Sequence, residues 1–467
     1  MSSSTRIVIL GSGPGGYVAA IRAAQLGGQV TVIENQALGG VCLNWGCIPS
    51  KALLSVVELG EKVKKAGELG IKVQGPPSYD LPQMVKRKNG VVAQLVKGIA
   101  TLFKTWGITH LQGWGELIDE RTVRVTTPDE TQSTVTADAI VLATGSSWPN
   151  LPLFPIDGKT IISSKEALDL EHIPSRLLII GGGVEGCEFA SLYSGLGSHV
   201  DLVEMLPTIL PTEDEELIRL MTRELKKNKV QLHTGTTAEK VEKRDKEIAV
   251  TLKSGEVIEA DTVLVSVGRP FNTQGIGLEK VGVRLGPRGE IEVNDKMETN
   301  VPGVYAIGDV VGKAMLAHVA SAQGKVAVEN ILGRSQAMNY DVVPAGIFTL
   351  PEIGRVGLTE QQAQAQGFQT KVGRFRYAGL GKAQAVGETT GIFKVITDSG
   401  SNKILGVHIM GSHAADLVHE AALAMQVGTT ASDLAHMIHA HPTLAEGMME
   451  AAEDVEGLAI HQARKRT

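Results

Sequence analysis

The sequence predicts an α/β protein with two Rossmann-like dinucleotide-binding units and a C-terminal α+β domain. Three observations predict it. Two glycine fingerprints recur between apolar strands, each followed at the same distance by an acidic residue. The chain is 43% hydrophobic with 54 glycines and few aromatics, the composition of buried elements joined by tight turns. From about Val343 the continuous apolar runs give way to alternating ones. At 467 residues there is room for three domains of roughly 150 residues.

Arg6 to Leu10 is continuously apolar after its first residue, as expected of a strand covered on both faces. Gly11-Ser12-Gly13-Pro14-Gly15-Gly16 follows, then a helical pattern through Tyr17, Ala20, Ile21 and Ala24. A second strand, Gln29 to Ile33, ends in Glu34. Gly11 suits the tight turn, Gly13 lets backbone approach a pyrophosphate, and Gly16 lets helix meet strand. The helix N-terminus faces the phosphates. Glu34, 23 residues after Gly11, is placed to accept hydrogen bonds from a ribose diol.

Arg176 to Ile180 and the turn carrying Gly181, Gly183 and Gly186 repeat this design. A helix through Phe189, Leu192 and Leu196 and the strand Val200 to Val203 lead to Glu204, again 23 residues after the first glycine. Two units in one register imply two dinucleotide sites. An acid at Glu204 favours a free 2′-hydroxyl and repels a 2′-phosphate, so NAD is expected rather than NADP.

Three further stretches are buried strands running into glycine turns: Ala139 through Thr144, Gly145 and Ser146, Val263 through Gly268 to Pro270, and Val304 through Gly308 to Asp309. The first two, taken alone, read as sheet architecture. Asp309, at the carboxyl end of a nucleotide-type strand, is placed to meet a polar ligand.

Cys42 and Cys47 are two of only three cysteines and follow directly on the first unit. Five positions of regular helix rise about 7.5 Å, beyond the roughly 7 Å that a disulfide spans between Cα atoms. Closure therefore requires Cys42 on an irregular turn entering the helix of Cys47; Gly46 allows the turn, and Pro49 suits an early helical position. So short a loop makes a weak staple, which suits a bond that opens and closes. On spacing alone, two ordinary buried cysteines fit as well. Zinc does not, since two thiolates supply half a ligand set and no histidine is near.

Beyond Val343, Phe393 to Thr397 and Ile404 to Ile409 read as alternating, antiparallel strands. Helices are expected over Ala414 to Val427, Ala431 to His439, and Leu444 to Leu458. Pro442 fits a helix start, placing His441 just before the helix and Glu446 in its first turns. The carboxylate then holds the imidazole in one tautomer and raises its basicity. A lone His–Glu pair is also common surface decoration. His436, His439 and His441 hint at a metal, but Pro442 breaks the face they need.

A net charge of −6 gives no footprint for nucleic acid, and Arg464-Lys465-Arg466 reads as a frayed tail. No apolar run reaches the roughly 18 residues of a membrane span. The residues Met1 to Arg6 lead straight into a strand, with no room for a leader peptide. Scarce cysteine suits a reducing compartment, so a soluble cytoplasmic protein is expected.

The run Gly39 to Lys51, both glycine fingerprints, the three glycine turns, Met315-Leu316-Ala317-His318, and His439 to Glu446 together resemble the flavin-dependent pyridine nucleotide–disulfide oxidoreductases, from end to end. The closest resemblance is to members that reoxidise protein-bound dihydrolipoyl groups in 2-oxo acid dehydrogenase and glycine cleavage complexes. That resemblance implies an FAD domain over 1–147 and 272–343, an NAD domain over 148–271, and a dimerisation domain over 344–467. FAD would lie along Gly11, Gly13, Gly16 and Glu34. Lys51 would sit near the ring, with Gly115, Thr144, Gly145, Ser146 and Asp309 along its length and Met315, Leu316, Ala317 and His318 near the isoalloxazine. NAD would take Gly181, Gly183, Gly186, Glu188, Glu204 and Gly268, with Lys51 and Glu188 paired. Cys47 would face the flavin and Cys42 the substrate. His441 and Glu446 would come across a homodimer, and the partner would be a lipoyl-bearing acyltransferase or glycine cleavage carrier protein.

Relatives acting on glutathione would be expected to carry arginines near Glu204, and mercuric relatives a terminal cysteine pair that this tail lacks. A non-enzymatic flavoprotein scaffold or redox sensor within a larger assembly is the other alternative, and the presence of both cysteines with His441 and Glu446 argues against it. Three positions depart from the family pattern: Val41 replaces a usual Thr, Trp45 a smaller residue, and Glu185 an aliphatic one. A carboxylate near the pyrophosphate helix or nicotinamide is expected to weaken dinucleotide binding. From sequence alone, Glu185→Ile should lower the apparent Michaelis constant for NAD in steady-state kinetics; an unchanged or higher value would refute this.

Overall fold

A computed structural model describes residues 4–244 and 247–463; the basic end from Arg464 to Arg466 lies outside the described residues. The first unit is a five-stranded parallel sheet in the order Val304–Ala306, Ala139–Leu142, Arg6–Leu10, Gln29–Glu34, Thr109–Gln112. The second has the order Gln231–Thr234, His199–Glu204, Arg176–Ile180, Thr262–Val265, Ile161–Ile162, also parallel. In both, the fingerprint strand lies at the centre, where the connection reverses direction and leaves a crevice beyond the carboxyl ends. Ile7, Val8 and Ile9 are 1% exposed or less, because helices cover one face and a small antiparallel sheet covers the other. Each unit also carries a three-stranded antiparallel flap, Trp114–Asp119 with Thr122–Thr126 and Gln132–Thr136, and Ala238–Lys243 with Ile248–Leu252 and Val257–Ala260. The flaps extend the internal repeat beyond what the fingerprints announce.

The third sheet is antiparallel: Ala345–Ile347, Glu352–Gly357, Ile404–Gly411, Ile392–Asp398, Thr370–Arg376. Helices Ala414–Val427 and Glu446–Asp454 lie on one face, and glycines let them approach. A Cβ on Gly354 would stand 2.0 Å from the Ala414 carbonyl oxygen, and one on Gly373 would stand 1.9 Å from that of Ala451. The other face packs on the second unit, where Ile353, Ile392 and Met410 share a core with Val57, Phe189 and Tyr193.

That double coverage corrects one expectation. Ile392–Asp398 is antiparallel but not half-exposed, since every residue through Thr397 is buried. Lys394, at 1% exposed, places its ammonium 2.9 Å from both Asp214 oxygens and 2.8 Å from Glu360. Two helices are also shorter than expected, Ala431–His436 and Glu446–Asp454. Pro442 does not begin the second. The Thr443 N–H goes instead to the Glu446 carboxylate at 2.8 Å and its hydroxyl to the Ala440 carbonyl at 2.8 Å, so 440–445 is a turn.

One stretch, Gly40–Lys64, is long and apolar enough to cross a bilayer by length and composition, contrary to expectation. Gly46 divides it, and Leu53, Leu54 and Val57 belong to the core.

The Lys394 cluster joins the third sheet to the second unit through charges removed from water. Removing one partner strands the others, so Lys394→Ala is expected to cost about 3–5 kcal/mol. A urea midpoint lowered by less than about 1 kcal/mol equivalent would contradict this.

Candidate active site

The fingerprint glycines divide into two kinds. Gly11 has φ +97°, and a Cβ there would lie 2.3 Å from the Ala143 carbonyl oxygen; one on Gly16 would lie 2.0 Å from that of Gly11. In the second unit Gly181, at φ +109°, and Gly186 repeat this at 2.2 Å from Ser266 and 1.9 Å from Gly181. These four are fixed by backbone packing. At Gly13 and Gly183 a Cβ would meet nothing within 4 Å. It would project into open space, so these two matter only if something approaches from outside.

That space is one cavity of about 1430 Å³. Gly11, Gly13, Glu34, Cys42, Cys47, Lys51, Gly115, Thr144, Gly145, Ser146, Asp309 and Met315 through His318 line it. Gly183, Glu185, Glu188 and Gly268 of the second unit line it too. Gly16, Gly181, Gly186 and Glu204 stand behind the wall. A cradle that a Cβ would fill, at the N-terminus of a buried helix, fits the pyrophosphate of FAD.

Both acids serve the turns. Glu34 accepts the Ser12 N–H at 2.8 Å and hydroxyl at 2.7 Å, and the Gln36 N–H at 2.8 Å. Glu204 accepts the N–H groups of Gly182 at 2.6 Å and Leu206 at 2.7 Å. Each carboxylate keeps acceptor capacity for a ribose.

The helix is interrupted at Gly46 rather than at Cys42. Cys42 lies in the short helix Gly40–Trp45; Gly46, at φ −141° and ψ −114°, turns the chain into the helix Cys47–Lys64. A Cβ on Gly46 would stand 3.2 Å from Cys42 Cα, and this close approach brings the sulfurs together. Both are free thiols, and each is the largest influence on the other's ionisation. The Cys42 S–H stabilises a Cys47 thiolate and, with Lys51 nearby, lowers the Cys47 thiol to about 7 against the opposing effect of burial. Cys42 is raised correspondingly by the same pairing. Cys187, the third cysteine, is fully buried, and its sulfur lies 3.4 Å from the Gly182 carbonyl oxygen.

Lys51 and Glu188 pair at 2.7 Å. The other Glu188 oxygen accepts the Phe348 N–H at 2.9 Å, and the Lys51 ammonium stands 4.7 Å from the centre of the Phe348 ring. Asp309 accepts the Ser146 hydroxyl at 2.5 Å, and Arg269 donates to the same Ser146 through Oγ at 3.0 Å and carbonyl at 3.1 Å. His318 bonds the Pro344 carbonyl at 2.7 Å. Trp45 meets Trp148 edge to face with ring centres 6.3 Å apart, and Lys165 lies over both rings.

His441 Nδ1 lies 2.8 Å from Glu446 Oε1, so the proposed pair forms. Burial acts to raise the Glu446 carboxyl, but the Thr443 N–H and His441 outweigh it and leave it below its ordinary value. The pair does not line the cavity of its own chain, and the His441 side chain is 76% exposed.

Several contributors escaped the sequence reading. Arg269 stood in a turn read as architecture, and its bond to Ser146 needs the fold. Phe348 acts through backbone and leaves no side-chain signal. Ser266, which donates to Glu185 at 3.0 Å, is an ordinary residue after a strand. His419 lines the cavity from the third domain, with no motif around it.

Two nucleotide units facing one cavity, with a reactive thiol pair between them, define a nucleotide-dependent thiol–disulfide oxidoreductase. The chain belongs to the pyridine nucleotide-disulphide oxidoreductase family, whose model matches residues 5–324, with its dimerisation domain at 343–452. It is 43% identical to a dihydrolipoyl dehydrogenase of Thermus scotoductus, covering 97% of this chain and 98% of that protein. It is 42% identical to mitochondrial dihydrolipoyl dehydrogenase 1 of Arabidopsis thaliana, over 98% of this chain and 92% of the relative. The crystal structure of LpdA from Mycobacterium tuberculosis superposes with a TM-score of 0.92 at 30% identity, covering 97% and 99% of the two chains.

In the reduced protein, alkylation at Cys47 should rise with pH through a midpoint near 7. Cys42→Ala, which removes the donor, should move that midpoint up. Peptide mass spectrometry after timed alkylation measures both, and an unmoved midpoint would show that the neighbouring thiol is not the cause.

Proposed function

We propose that this protein is a dihydrolipoyl dehydrogenase, oxidising protein-bound dihydrolipoyl groups through the Cys42–Cys47 pair and FAD with NAD as acceptor. The observation that carries the reading is the placing of two neighbouring free thiols, Cys42 and Cys47, and two glycine cradles on a single cavity. Names carried by relatives above 40% identity over nearly the whole chain support the choice of substrate.

The first unit, over 1–147 and 272–343, holds FAD, and the second, over 148–271, holds NAD. FAD, when bound, carries an electron pair between sulfur and nicotinamide. Gly13 and Gly183 admit the two pyrophosphates. Lys51, fixed by Glu188, keeps a positive charge beside Cys47 and favours its thiolate. His441, oriented by Glu446 and supplied by the second subunit of a homodimer, takes the proton from a dihydrolipoyl thiol. With the pair oxidised to a disulfide, the freed thiolate attacks Cys42 and breaks the Cys42–Cys47 bond, leaving Cys47 as thiolate. The second substrate thiolate then attacks the substrate sulfur joined to Cys42, expelling the Cys42 thiolate and releasing the substrate as a cyclic disulfide. The partner is a lipoyl-bearing acyltransferase or a glycine cleavage carrier protein. Three cysteines in 467 residues suit work in the cytoplasm.

NAD reduction by dihydrolipoamide, run beside NADPH oxidation by glutathione disulfide, tests the reading; only the first should proceed. Loss of a general base costs roughly 10²- to 10⁴-fold. His441→Gln should show that loss in the dithiol half-reaction while leaving reduction of the enzyme by NADH largely intact. Equal loss in both directions would remove His441 from the proton-transfer role.

A further inference from the structure

Of the acidic side chains in the wall, Glu34 caps a glycine turn, Glu188 pairs with Lys51 and Asp309 is held beside Arg269 through Ser146; Glu185 has only a hydroxyl partner. It stands in the first turn of the helix Val184–Leu196 and lines the cavity. Its Oε2 accepts the Ser266 hydroxyl at 3.0 Å, and among the described residues no Lys, Arg or His pairs with it. Glu188, three residues further along the same helical face, is neutralised by Lys51.

The strand order fixes which half of a dinucleotide Glu185 would meet. The adenosine ribose belongs to the acid ending the second strand, here Glu204, and the ligand crosses the central strand to the opposite side of the reversal point. That opposite side is Thr262–Val265, the strand that ends in Ser266. The carboxylate held by Ser266 therefore flanks the nicotinamide half, between the phosphate cradle at Gly183 and the Lys51–Glu188 pair.

We propose that Glu185 discriminates between the two redox states of the nicotinamide, favouring the cationic oxidised ring over the neutral reduced one. This rests on the nucleotide assignment proposed above. The oxidised ring carries one positive charge. Accepting a hydride, one proton with two electrons, from the reduced enzyme cancels that charge, and the attraction to Glu185 disappears with it. The residue thus loosens the product without weakening the substrate. This reverses the sign expected from sequence alone, where the carboxylate was set against the dinucleotide as a whole.

The test titrates the FAD-loaded oxidised enzyme calorimetrically with NAD and, separately, with its tetrahydronicotinamide analogue, whose ring is neutral and cannot give up hydride. Glu185→Gln should lower the ratio of NAD affinity to analogue affinity by about threefold to tenfold, the size of a partly exposed charge interaction. Glu185→Asp should retain most of that ratio. Equal tightening of both ligands by Glu185→Gln would overturn the proposal in favour of general repulsion, and an unchanged ratio would overturn it outright. A wild-type enzyme that binds NADP more tightly than NAD, or binds neither, would defeat the nucleotide assignment itself and this inference with it.

Discussion

The Lys51–Glu188 ion pair is the joint on which the site depends. Lys51 belongs to the helix of Cys47, Glu188 to the second nucleotide unit, and the Phe348 N–H that Glu188 also accepts belongs to the start of the third sheet. Three parts of the chain, packed into one shared core, meet at one carboxylate that is 7% exposed. A charge so placed is stable only while its partners stay in position. The arrangement that brings two nucleotide cradles onto one cavity is therefore the one that sets a cation beside the low thiol, and geometry and electrostatics cannot be varied separately here.

The two units show how little sequence a dinucleotide cradle requires. Contacts near 2 Å from a would-be Cβ to a carbonyl oxygen exclude any side chain at Gly11, Gly16, Gly181 and Gly186. The acids at 34 and 204 then tie the turn through its own N–H groups before any ligand arrives. Such preorganisation lets a ribose bind without first ordering a loop. The units part company at the cavity wall, where the second carries Glu185 and the first carries Ser146 with Asp309.

Legibility followed the range of the forces involved. Strands covered on both faces are continuous apolar runs, and their ends matched within a residue or two at Arg6–Leu10 and Gln29–Glu34. The glycine turns are local, so their positions carried over. The third sheet misled because Lys394 reads as a solvent-facing residue until Asp214, 180 positions earlier, is brought beneath it. The Pro442 turn misled because side-chain bonds from Thr443 override the local helix signal. Ser266, Arg269 and Phe348 act through partners distant in sequence or through backbone, and neither leaves a pattern.

The separation of the acid–base pair from the sulfurs follows from what each must do. A thiol depressed to about 7 needs a nearby cation and a donor that together outweigh burial, and Lys51 and Cys42 supply them. A base that takes protons from arriving thiols must instead exchange with solvent and keep one ring nitrogen free. His441 meets that need, with Nδ1 engaged by Glu446 and most of its side chain open. Housing both in one chain would place a second titrating charge against Cys47 and disturb the thiolate that Lys51 favours. On the proposed reading the second subunit resolves this conflict, since it lets the imidazole approach Cys42 from outside while the Cys47 side of the pair stays facing the flavin.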